Sequence, residues 1–200
     1  MNQSIVACDK KIAIGVPVVL WDESHGFICP HKRGRSVCTQ HDPGLNDGPT
    51  RKEEHYRIKD PETAYRQLIE VVHQFILHYD VCYCSWHCHQ ILQASSFLGS
   101  HFYLDLDGTI YQTCDLYWQT NAAPSDDRMG NLRSVHVEIS NLSWEARAAE
   151  TSLPQVQEDQ YQKQDGRWRL ILPQEYQEKI RIPEFVPFPA RYDGEKGYFS

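Results

Sequence analysis

The stretch Phe75 to His89, FILHYDVCYCSWHCH, carries three cysteines and three histidines within fifteen residues. Thiolate and imidazole are ligands of zinc, and thiols also serve redox and nucleophilic chemistry. Such a run can be a zinc knuckle, a redox centre or the packing of a helix start, and spacing bears on which. Cys82, Cys84, His87, Cys88 and His89 contain no C-x2-C pair and no matched second pair, which makes a zinc finger a poor fit. A helix beginning at Ser85 would turn Cys88 inward and send His87 and His89 elsewhere, so the set cannot converge on one ion. A cysteine nucleophile with His78 or His101 as base is a further option.

Two residues outside the cysteine cluster carry more chemistry. His78 closes the apolar run FIL, where a strand leaves the core and a side chain can face a cleft. It is either a metal ligand or a half-buried histidine whose ring nitrogens are satisfied. One histidine is not a site, because catalytic zinc takes three protein ligands and keeps a position open for water. Glu138 lies inside SVHVEIS, between Val137 and Ile139. A carboxylate there is costly unless its face is wet or its charge is partnered.

The elements that would position these residues follow from local signals. IAIGVPVVLW at 12–21 reads as a short buried strand, and the polar, Gly- and Pro-containing stretch 22–59 as a long irregular insertion. Asp60-Pro61-Glu62 is a helix start, with Asp as N-cap and Pro in the first turn; Ala64, Leu68, Ile69 and Val72 give it an apolar face. QFILH follows as a strand. Ser85 can cap a second helix that runs to Phe97 and stops at Gly99, with Cys88, Ile91, Leu92 and Ser95 inward. HFYLDL and TIYQT flank Asp107-Gly108, the clearest hairpin signal in the chain. In SVHVEIS, Val135, Val137 and Ile139 alternate with Ser134, His136, Glu138 and Ser140. Asp165-Gly166 suggests another hairpin into RWRLIL, and the Pro-rich, aromatic end has no regular period. Helices between strands, together with hairpins, predict an α/β fold: a mixed central sheet flanked by helices.

Composition narrows the class. Two hundred residues favour one domain, 1–200, with its own core. A formal charge of −7 argues against a nucleic-acid surface. No run approaches the ~20 apolar residues of a membrane span. The opening MNQSIVACDKK is not a signal peptide in form, so the default expectation is the cytoplasm, with cell-wall association if the chain is exported. The odd count of seven cysteines fits a reducing compartment with mostly free thiols. Nothing in the sequence sets the oligomeric state.

HFYLDLDGTIYQ, followed by Asn131-Leu132-Arg133-Ser134-Val135-His136-Val137-Glu138-Ile139, resembles the type 2 N-acetylmuramoyl-L-alanine amidases. This is the zinc amidase fold shared with peptidoglycan recognition proteins. FILH matches the family's strand ending in a zinc-binding histidine, and the resemblance spans about residues 70 to 142. It implies a zinc hydrolase acting on peptidoglycan or muropeptides, cutting the amide between N-acetylmuramic acid and L-alanine. It makes His78 a zinc ligand and Glu138 the acid that orients or deprotonates the metal-bound water, whose pKa zinc lowers to ~7. His101, Trp118, Asn121 and His136 are the candidate substrate-binding residues. The Cys-x5-Cys link of peptidoglycan recognition proteins has the spacing of Cys82 and Cys88, which implies a disulfide if the compartment oxidises.

The chain departs from this family at the metal. The family's other zinc ligands come from a G-H…D-P-G segment after a further C-terminal helix, and that segment is missing here. The one Asp-Pro-Gly is Asp42-Pro43-Gly44, preceded by His31 and His41. His136 replaces the small residue of the family's I-G-I-E, which makes it an extra ligand, a proton relay or a rim substitution. The expectation is therefore a zinc site incomplete within this chain, and either part of a longer amidase or a relative that binds muropeptides without cleaving them. In the second case Trp21, Tyr117 and Trp118 are candidate sugar-stacking surfaces.

Overall fold

The structure, a computed structural model, describes residues 2–29, 58, 60–80, 82–95, 98–123, 129–140 and 172–181. It also gives the backbone of short strands at 33–34, 161–164, 167–170, 192–193 and 198–199. The chain opens with an antiparallel pair, β1 (Asn2–Ala7) and β2 (Lys10–Leu20). Their turn is Cys8-Asp9, with both residues left-handed at φ 55° and 59°, the backbone of a two-residue hairpin but without the usual Gly or Asn. Only Val18, Val19 and Leu20 of β2 are fully buried, whereas Ile14 and Val16 are about 40% exposed. The expected strand is therefore longer than 12–21 at its start and buried only at its end. The long 22–59 insertion lies outside the described residues except for 22–29, β3 (Arg33–Gly34) and Ile58.

Helix α1 (Pro61–Val71) starts as its sequence dictates: Asp60 Oδ1 accepts the Thr63 N–H at 3.1 Å, and Pro61 occupies the first turn. Ala64 and Leu68 are buried, while Ile69 turns out to solvent. Strand β4 (Gln74–Tyr79) follows, then helix α2 (Ser85–Ala94). Ser85 is not the cap: Cys84 holds the N-cap position, and Ser85 is the first helical residue. The Ser85 N–H goes instead to Asp105 Oδ1 at 3.0 Å, so a residue distant in sequence caps the helix. The helix ends at Ala94, short of Phe97.

Strands β5 (Phe102–Leu104) and β6 (Ile110–Gln112) form the expected antiparallel hairpin, turned by Gly108 at φ 81°. After β7 (Trp118–Gln119) comes β8 (Ser134–Ile139). Beyond it lie β9 (Tyr161–Gln164) and β10 (Arg167–Leu170), which pair as the expected second hairpin, then α3 (Gln174–Gln177), β11 (Tyr192–Asp193) and β12 (Tyr198–Phe199).

Six strands make one mixed sheet in the order β1-β2-β6-β5-β8-β4. β8 lies parallel to both β4 and β5, β2 parallel to β6, and the two hairpin pairs antiparallel. The period-2 alternation of β8 sorts its residues onto two covered faces. Val135, Val137 and Phe102 join Ala64 and Leu68 of α1 in one core. Tyr103 and Tyr111 meet Cys88 and Leu92 of α2 in another. Each large apolar side chain so buried contributes about 1.5–3 kcal/mol. The fold is α/β with a six-stranded mixed sheet, and among the described residues no helix is long and apolar enough to cross a membrane.

Buried polar side chains stitch the sheet where strands run out. Gln112 is fully buried; its Oε1 accepts the Val6 N–H at 2.8 Å and its Nε2 donates to Val6 O at 2.7 Å. The side chain thus substitutes for a strand residue beside β1. Asp105 Oδ1 takes the N–H groups of Ser85 and Leu106, while its buried Oδ2 has no partner among the described residues. Burial raises this carboxyl from 3.8 to about 6. The folded state then holds the proton more tightly, so this group's contribution to stability falls as pH rises from about 4 through about 6. The full difference is about 3 kcal/mol. Denaturant unfolding of wild type and Asp105→Asn across that window is expected to show a shallower pH slope in the variant. Equal slopes would mean that the carboxyl titrates in the fold as it does in the unfolded chain.

Candidate functional site

His78 and Glu138 stand opposite each other, because β4 and β8 are parallel and pair them in register. His136 lies two residues before Glu138 and so shares its face. His78 Nε2 and His136 Nδ1 are 3.0 Å apart, one ring donating to the other. Burial lowers the His78 pKa, which keeps its imidazole neutral. Glu138 is not on a wet face: it is 7% exposed, under α2, with Tyr103 as its register partner on β5. Burial first, and then the charge of Asp80, raise its carboxyl from 4.5 to about 7. A buried carboxyl raised toward neutrality, with an imidazole as its register partner, is equipped for proton transfer.

The other expected substrate residues are engaged by partners of their own. His101 is fully buried; its Nε2 lies 3.0 Å from the Trp118 carbonyl, which fixes Nε2 as the donor. Its Nδ1 then accepts the backbone N–H of His136 at 3.1 Å and the hydroxyl of Thr120 at 3.0 Å. The His101 and His136 rings stack with centroids 5.7 Å apart. His101 therefore holds His136 in place and does not itself face a ligand. Trp118 is 6% exposed and packs edge-on against Tyr117 in the core with α1, so neither ring offers a face to a sugar; Trp21 is half-buried. Asn121 is half-buried, and its Oδ1 accepts from Asn131, whose own Oδ1 takes the N–H groups of Ala122 and Ala123.

The cysteine–histidine run resolves differently from its expected phase. Cys88 is buried as expected, but His89 is too: its ring stacks on Phe27 at 4.7 Å. Ile91, expected inward, is 48% exposed. No disulfide joins any of the described cysteines, Cys82 and Cys88 included. Asp80, Cys82 and Cys88 instead form a group that could hold a metal ion, with one donor atom from each and all within 4.8 Å of one another. Asp80 escaped the sequence analysis, although Asp-x-Cys-x5-Cys was there to be read.

No family model matches the chain, and no curated protein or solved structure matches it. The site stands on its own chemistry. His78 and His136 supply two donors, and among the described residues no third joins them. The zinc site that the amidase resemblance implies is thus one ligand short there. His31, His41 and Asp42 lie outside the described residues.

Behind α2 a cleft of about 670 Å³ opens between Phe27, Trp86, His89 and Tyr111 on one side and Lys179 and Arg181 on the other. The Glu178 carboxylate lines the same cleft, so its charge is mixed, and the Phe27 ring is already stacked between His89 and Tyr111. Lys179 Nζ sits 5.0 Å from the Trp86 ring, a cation–π contact that orients the indole. Phe27, Trp86 and Lys179 come from three separate segments and are brought together only by the fold.

Proposed function

We propose that this chain hydrolyses the amide between N-acetylmuramic acid and L-alanine in muropeptides, with Glu138 as its acid–base residue. The observation that carries this reading is the buried Glu138 carboxyl, poised at about 7 and in register with His78. Glu138 takes the proton of the water that attacks the lactyl carbonyl, and returns it to the L-alanine nitrogen as the C–N bond breaks. His78, half-buried and in register with Glu138, donates a hydrogen bond to the carbonyl oxygen as charge develops on it, with His136 holding its ring through the 3.0 Å contact. No step is routed through zinc, since the imidazole pair falls a ligand short.

A second reading, binding without cleavage, is favoured by that shortfall. One experiment separates the two. The full chain is incubated with a soluble muramoyl peptide; release of the stem with a free L-alanine amine is followed by mass spectrometry, and binding by calorimetry. Stem release supports the hydrolase. Binding without release replaces it with the binding module, and neither signal sinks both.

A further inference from the structure

Cys82 and Cys88 approach each other from two elements. Asp80 follows β4 directly, Cys82 lies in the loop after it, and Cys88 sits in the first turn of α2. The donor atoms of the three lie within 4.8 Å of one another. Around a tetrahedral zinc, sulfur and oxygen donors are about 3.5–3.8 Å apart, as the ~2.3 Å Zn–S and ~2.0 Å Zn–O bonds require.

We propose that Asp80, Cys82 and Cys88 hold a zinc ion. Two thiolates select a soft or borderline metal and reject magnesium and calcium, whereas an iron–sulfur cluster asks for four cysteines or their histidine equivalents. The carboxylate tips the choice away from copper(I) and toward zinc. Three protein ligands leave a fourth position for water, as in sites that exchange a ligand.

The surroundings are arranged for this. Asp80 Oδ1 accepts the Cys82 N–H at 2.9 Å, and Asp80 Oδ2 accepts the Ser140 hydroxyl at 3.1 Å. Ser140 Oγ in turn lies 3.0 Å from Ser85 Oγ, so the carboxylate is oriented before any ion arrives. The N-terminal end of α2, a helix of ten residues, favours negative charge at the sulfurs. Cys82 Sγ lies 3.0 Å from the Asp80 carbonyl, to which it donates. On binding, each thiol gives up its proton, so Zn²⁺ with two thiols and one carboxylate yields a site of net charge −1 and two protons released to solvent.

The test of this site does not use activity, so its failure and that of the hydrolase reading are distinguishable. The reduced full-length chain is titrated with Co²⁺, which reports thiolate ligation as a near-ultraviolet charge-transfer band and tetrahedral geometry as intense visible absorption. The expected result is one Co²⁺ per chain with both features, displaced by Zn²⁺. The band should be lost in Cys82→Ser and in Cys88→Ser, and Asp80→Asn should bind about tenfold or more weakly. His78→Ala and Glu138→Gln should keep the band. Absence of the band in the reduced wild-type chain overturns the proposal with no variant needed. So does a band that survives both cysteine variants, or a Cys82–Cys88 disulfide in chain purified under reducing conditions.

Discussion

Glu138→Gln is expected to lower muropeptide hydrolysis by about a hundred- to ten-thousand-fold, the usual contribution of a positioned acid–base group. Glutamine keeps the volume and shape of the side chain under α2 but can neither take nor return a proton. Its effect on stability should run the other way. The folded carboxyl titrates at about 7 against an ordinary 4.5, so between those values the folded state binds the proton more tightly. Stability from this group therefore falls as pH rises toward 7, and above it the ionised form opposes folding. Removing that opposition is expected to stabilise the variant by about 1–2 kcal/mol at pH 8, less than the full shift because the buried amide has its own desolvation cost. Single-turnover hydrolysis and denaturant unfolding at pH 8 measure the two together. Lost activity with gained stability is the mark of a strained functional group. Hydrolysis by Glu138→Gln at the wild-type rate would remove Glu138 from the reaction.

The parts of this fold that were legible are those decided within a few residues. Asp107-Gly108 demands a tight turn, Asp60-Pro61 a helix start, and the alternation in SVHVEIS a strand with two different faces; all three are present. What could not be read was decided by partners far away in sequence. The start of α2 shifted by one residue because its cap is Asp105, not Ser85. His89 turned inward because Phe27, supplied by the segment after β2, offers it a ring to stack on. β1 was invisible because NQSIVA is short and its turn to β2 uses Cys8-Asp9, a pair with no turn signature of its own.

The candidate site divides along the same line. His78 and Glu138 stood out as single residues, one at a strand end and one inside an apolar alternation. Their pairing needed the parallel register of β4 and β8, which no local pattern encodes. His101 had the right chemistry for a ligand contact but serves as a strut, since its ring nitrogens are engaged by Trp118, Thr120 and the backbone of His136. Asp80 was overlooked because a carboxylate just after a strand is ordinary until two thiols are folded against it.

Asp115→Ala is expected to destabilise the fold by about 3–5 kcal/mol, and this loss should be separable from the chemistry. Asp115 is 5% exposed, and its Oδ1 accepts the N–H groups of Cys8 at 2.6 Å and Tyr117 at 2.7 Å. Its Oδ2 accepts the N–H of Asp9 at 2.7 Å. Cys8 and Asp9 are the two left-handed residues that turn β1 into β2, and a non-glycine residue in that conformation costs about 1–2 kcal/mol. The carboxylate is what holds them there. Burial nevertheless raises its pKa, so part of what the three hydrogen bonds contribute is offset by desolvation of the charge. Alanine loses all three acceptors and leaves buried N–H groups behind. The Asp115→Asn variant keeps an oxygen for Cys8 and Tyr117 but turns an amide NH₂ toward Asp9, so its cost should be smaller, about 1–2 kcal/mol. Denaturant midpoints of the two variants give this ordering directly, and equal costs would show that the hydrogen bonds do not hold the turn. Because the turn lies at the far end of the sheet from β4 and β8, the hydrolysis rate per folded molecule should be unchanged in both variants. Glu138→Gln then loses activity while gaining stability, and Asp115→Ala loses stability while keeping its activity per folded molecule, a contrast that damage to the fold alone cannot produce.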